Sequence, residues 1–111
     1  MKNTVAVQYL SYLSAMITRE ETQKLVFVEA HGHSAEEHLG IPKLVLRTPD
    51  KESREDLLEF DFVVVPSEES KRKSLSWELK VVFDVDQLPL QPNWIKVNAG
   101  QNADIVRVNE Y

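Results

Sequence analysis

Between Ser74 and Asp86 apolar and polar residues take turns along the chain. Leu75, Trp77, Leu79, Val81, Phe83 and Val85 hold every second position, and Ser74, Ser76, Glu78, Lys80, Asp84 and Asp86 fill most of the others. Successive side chains of an extended chain point to opposite faces, so this spacing predicts a β-strand with one buried and one wetted face. A helix would scatter the same residues around its circumference. The preceding run has the same period: Leu58, Phe60, Phe62 and Val64 share one face, and Glu59, Asp61, Val63 and Val65 the other. From Pro66 to Lys73 the only apolar residue is the proline. The two runs are therefore expected to form a long antiparallel hairpin over about residues 57–86. Buried faces must meet, which would set Phe62 opposite Leu75, Trp77 or Leu79.

The remaining elements are shorter. Gln87 to Asn93 contains Pro89 and Pro92 and is expected to be an extended loop, since proline fixes φ and removes a backbone donor. Strands are expected at Trp94–Val97 and Ile105–Val108, joined by a polar turn. Leu25–Val28 is a short, β-branched apolar run, expected to be a buried strand, and Lys43–Arg47 another short strand. Ser34 with Glu37 has the spacing of a capping box, and Gly40 would end a one-turn helix before Pro42. Thr48-Pro49-Asp50 has the residues of a second helix start. From Asn3 to Thr18 no residue is charged. Ala6, Leu10, Leu13 and Ile17 fit a helical stripe, while Val5, Val7, Tyr9, Leu13 and Ile17 fit a strand; periodicity alone leaves both open. The fold class expected from these elements is α+β, a mainly antiparallel sheet with one or two short helices.

The chain has 111 residues, of which 42% are hydrophobic and 28% charged, which suits a single domain over residues 1–111. Its formal net charge of −5 disfavours nucleic acid as a partner, and Glu68 and Glu69 offset the only basic cluster, Lys71-Arg72-Lys73. There is no cysteine, which excludes a disulfide framework and a thiol nucleophile. The Asn3–Thr18 stretch is too short and too polar for a membrane span of about 20 residues, and nothing at the start resembles a signal peptide. A cytoplasmic protein without membrane association is the expectation. Trp77 is expected in the core, and Trp94 also in the core, with a recognition groove as its alternative.

Two constellations carry candidate chemistry. His31, His33 and His38 fall in one segment with Glu37, and imidazoles two residues apart on an extended chain can converge on one ion. His31-Gly32-His33 resembles the His-x-His signature of metallo-β-lactamase-type hydrolases. His31, His33 and Glu37 also resemble the first half of a cupin metal motif, which would need a further histidine downstream; the chain has none after His38. These resemblances imply a divalent metal as cofactor. The second constellation is Asp61 with Glu78-Leu79-Lys80, which resembles the metal-binding core of the PD-(D/E)xK nucleases. The resemblance implies that Asp61 and Glu78 hold a divalent cation and that Lys80 positions or activates the attacking water. One hairpin register sets Asp61 opposite Glu78, unfavourable without a cation between them, and the next sets it opposite Lys80 in a surface ion pair. That family carries a helix after the Glu-x-Lys strand, where this chain has Pro89 and Pro92.

No catalytic dyad, phosphate-cradling loop or complete metal set can be written from these residues. The expected function is therefore non-catalytic, a small protein-binding or accessory module without a required cofactor. Its partner would be another protein or a further copy of itself, the homo-oligomer following if the uncharged Asn3–Thr18 element exposes a second apolar face. The alternatives are a minimal metal-dependent nuclease using Asp61, Glu78 and Lys80, or a metal-binding protein using the segment His31–His38.

Overall fold

The computed structural model describes residues 4–19, 23–48, 56–66, 73–89 and 91–110. Among the described residues nine strands follow one another: β1 (Val5–Ala6), β2 (Tyr9–Arg19), β3 (Lys24–Leu39), β4 (Ile41–Leu46), β5 (Leu57–Val65), β6 (Lys73–Asp84), β7 (Trp94–Asn98), β8 (Ala103–Arg107) and β9 (Asn109–Glu110). The only helix among the described residues is a 3-10 turn at Val85–Gln87, capped by Asp84, whose Oδ1 accepts from the Asp86 N–H. The protein is thus mostly β-sheet. The expected helix at Ser34–Gly40 is instead the end of β3, where Ser34 is buried and its Oγ accepts from the Gln8 N–H. The hydroxyl oxygen that would have capped the helix serves instead a long-range partner between β1 and β2. The helix start at Thr48-Pro49-Asp50 and the basic cluster at Lys71-Arg72 run outside the described residues.

The strands form two mixed sheets. In the first, β5 is flanked on one edge by antiparallel β4 (Leu44 opposite Phe62) and on the other by two strands in succession. Antiparallel β1 covers its last residues, parallel β7 covers Leu57–Asp61, and β8 pairs outside β7. The second sheet has the order β6-β3-β2-β9, with β3 antiparallel to both β6 and β2, and β9 running parallel to β2.

The expected hairpin between β5 and β6 does not form. Both runs are strands with the expected inward rows, since Leu58, Phe60, Phe62, Val64 and Trp77 are all buried. Their partners differ: β5 pairs with β4, β1 and β7, and β6 pairs with β3. Alternation fixes which face of a strand is buried, and it says nothing about which neighbour lies beside it. Here the two inward rows meet through the core, with the rings of Phe60 and Phe83 stacked at 5.2 Å between centroids. Facing sheets bury both rows without pairing their backbones.

The chain changes sheet between β1 and β2, β3 and β4, β5 and β6, β6 and β7, and β8 and β9, and three of these passages are made within one or two residues. The chain passes from the first sheet to the second at Val7, fully buried, whose N–H donates to the Phe62 carbonyl and whose own carbonyl accepts from Gly100. It returns at Gly40, between β3 and β4, where a Cβ would run into the Val65 carbonyl and Val64. It crosses again at Val108, between β8 and β9. The uncharged stretch is therefore β1 and β2. Its ambiguous periodicity has a structural cause, a bulge between Leu10 and Tyr12 that sets both Ser11 and Tyr12 outward and moves the inward row from Leu10 to Leu13, Ala15 and Ile17. Neither a single strand phase nor a helical stripe describes it.

Candidate functional site

Each sheet has an outer face, and the two differ. On the first sheet the outward residues of β5 and β7 carry an ion network. Arg47 holds Asp61 through Nε (3.0 Å to both carboxylate oxygens) and Nη2 (2.7 Å), and reaches Glu59 through Nη1 at 3.0 Å. Asn98 Nδ2 donates to Glu59 Oε2 at 2.7 Å, and Lys96 lies 3.9 Å from it. The hydrogen bond to Asp61 holds the Arg47 guanidinium above its ordinary pKa; slight desolvation opposes this, and the charges of Asp61 and Glu59 add to it. Trp94 also lies on this face, half-buried beside Leu57 and Arg107, and not in the core as expected. Its neighbours Ile95 and Val97 take the inward positions of the short strand.

On the second sheet the register aligns outward side chains of β2, β3 and β6 into five rungs. They are Thr18–Leu25–Asp84, Met16–Phe27–Val82, Ser14–Glu29–Lys80, Tyr12–His31–Glu78 and Tyr9–His33–Ser76. Val82 is 53% exposed, Tyr12 48%, Tyr9 39% and Phe27 36%. Asn109 extends the second rung beyond Met16. Around Ser14, Met16, Phe27, Glu29, Lys80 and Val82 the surface sinks into a largely apolar depression of about 400 Å³. The short Ser14 side chain on a rung beside Phe27 and Met16 leaves that space open.

The expected nuclease constellation is split by this architecture. Asp61 belongs to the outer face of the first sheet, where Arg47 engages it, while Glu78 and Lys80 belong to the outer face of the second. The pairing of β5 with β6 that would have brought them together is absent. Glu78 instead lies opposite His31, and Lys80 opposite Glu29.

The histidine segment lies on β3, and His31 and His33 do share an outer face, as an extended chain requires. Each ring packs against a tyrosine of β2: His33 stacks on Tyr9 at 5.3 Å between centroids, and His31 meets Tyr12 at 4.9 Å with the rings tilted by 39°. His31 Nε2 lies 2.7 Å from Glu29 Oε2. His38 lies past a register irregularity and stacks on the core residue Trp77 at 6.2 Å, and Glu37 is exposed. Among the described residues no three histidine, aspartate or glutamate side chains gather to hold a metal ion.

Sequence reasoning held Tyr9, Tyr12 and Met16 only as part of the uncharged Asn3–Thr18 element, without naming them as surface contacts, and passed over Phe27 and Val82 as surface residues. A signal for one of them was present: Val82 is the single apolar residue among the polar positions of its strand, from Ser74 to Asp86. Phe27 was masked by lying in a continuous apolar run, where inward and outward residues look alike.

Compared with models of protein families, with curated proteins and with solved structures, the chain matches none.

Proposed function

We propose that this protein is a non-catalytic protein-binding module that docks a partner on the outer face of its four-stranded sheet. The observation that carries this reading is the rung of half-buried Met16 with exposed Phe27 and Val82 and its apolar depression, next to the exposed tyrosines of β2. Single exposed apolar residues are ordinary; a contiguous set on one rigid sheet face marks a contact surface. Tyrosine supports it further, because its ring gives large contact area with few torsions to freeze and its hydroxyl keeps a polar tip. The sheet holds these side chains in fixed register, so little ordering is left to be done on binding.

The test is affinity capture from the native organism with three forms of the chain. Val82→Glu places a charge in the proposed contact, and Val45→Glu places one on the outer face of the other sheet. A partner retained by the wild type and by Val45→Glu, and lost from Val82→Glu, supports the reading. A partner lost from Val45→Glu and retained by Val82→Glu refutes it.

A further inference from the structure

We infer that the occupant of this face is a segment carrying both basic and apolar side chains, and not a second copy of the chain; this rests on the docking reading above. Charge decides the occupant. The five rungs carry three carboxylates, Glu29, Glu78 and Asp84, and one ammonium group, Lys80. Lys80 stands opposite Glu29, whose carboxylate also meets His31. Glu78 is exposed and, among the described residues, has no ion pair. At the strand end Arg19 pairs with Glu110 at 2.9 Å, and Lys24, which donates to the neutral Gln91 at 3.2 Å, lies outside the five rungs. Two such faces brought together would each bring more carboxylates than ammonium groups, in chains that each carry a formal charge of −5. Juxtaposed like charges in a desolvated contact suppress that pairing, and the same field draws in a cationic partner.

The rungs also place the two halves of the contact. Glu78 lies four residues from Val82 along β6, roughly 13 Å at strand rise. An aliphatic or aromatic side chain would fill the depression at Met16, Phe27 and Val82. A lysine or arginine reaching toward Glu78 would meet an exposed carboxylate beside His31, with Tyr12 on the next strand along the same rung.

The test uses random twelve-residue peptides displayed on phage and selected against the intact chain, followed by titration of the enriched peptides in synthetic form at low and high salt. The expected result is enrichment of lysine or arginine beside aliphatic or aromatic residues. Binding should weaken roughly tenfold in Glu78→Lys, weaken with salt, and be lost in Val82→Glu. Both substitutions lie at exposed positions of β6, and matching urea midpoints establish that the variants fold. Enriched peptides that depend on Val82 but lack basic residues overturn the charge inference and leave the docking reading standing. Peptides indifferent to Val82→Glu, or no enrichment at all, overturn both. A concentration-dependent dimer in sedimentation, abolished by Val82→Glu, assigns the face to a second copy and also overturns the inference.

Discussion

The rings of Phe60 and Phe83 stack at 5.2 Å, with 23° between their planes, although β5 and β6 belong to different sheets. Phe60 is fully buried and Phe83 only partly, so the contact joins the centre of the core to its margin. Phe60→Ala is expected to cost about 3–5 kcal/mol, and Phe83→Ala less. Beyond the area they bury, the rings should couple by about 0.5–1.5 kcal/mol in a double-mutant cycle read by urea unfolding. Leucine at either position serves where alanine prevents folding. Additive losses would contradict the ring contact.

Gly32 is held by space. A Cβ there would lie 2.6 Å from Val7 Cγ1, 2.8 Å from the Tyr9 carbonyl oxygen and 3.2 Å from Phe62 Cε2. The Tyr9 oxygen is backbone and Val7 is pinned by hydrogen bonds on both sides, so neither yields freely. Gly32→Ala should destabilise by about 1–3 kcal/mol despite the better strand former it introduces. Thermal unfolding checks this; a stabilised variant would show that the crossing at Val7 is looser than described.

Asn102 takes the place of a missing strand. Its Oδ1 accepts from the Leu10 N–H at 2.7 Å, and its Nδ2 donates to the Leu10 carbonyl at 2.8 Å, at the bulge of β2. Asn102→Asp keeps an acceptor for the N–H and sets a second acceptor against the carbonyl, which an amide satisfied. The expected loss is about 1–3 kcal/mol, with faster amide hydrogen exchange at Leu10. Unchanged exchange at Leu10 would argue that the side chain contributes nothing to the bulge.

The sequence made inward rows legible and left partners illegible. The alternation of Leu58 to Val64 and of Trp77 to Phe83 identified two strands and their buried faces correctly. Which strands lie beside them depends on where the chain changes sheet, and the short crossings at Val7, Gly40 and Val108, like the longer ones on either side of β6, share no distinctive turn composition. The pairing error then carried into the site, because Asp61 and Glu78 were neighbours only within the hairpin. The histidine segment misled for a different reason: capping-box spacing at Ser34 and Glu37 is real, but Ser34 is buried against Gln8, and a long-range hydrogen bond outweighs a local propensity. The aromatic surface was hidden in the bulge of β2, where Ser11 and Tyr12 both point outward and the period of two breaks.

Val82→Glu and Glu78→Lys should leave stability nearly unchanged, within about 0.5 kcal/mol, because both side chains are exposed and neither is part of the core cluster. Urea midpoints read this directly. A large loss in either would show that the face is bound by structural demands and is not free for a partner.

The docking face itself is tested most directly by amide and methyl NMR shifts of the labelled chain on titration with the protein recovered by affinity capture. The shifts should concentrate at Tyr9, Tyr12, Met16, Phe27 and Val82 and leave Arg47, Lys96 and Ile105 on the opposite sheet unmoved. Shifts concentrated on Arg47, Lys96 and Ile105, with the tyrosines and Val82 unmoved, would contradict the account.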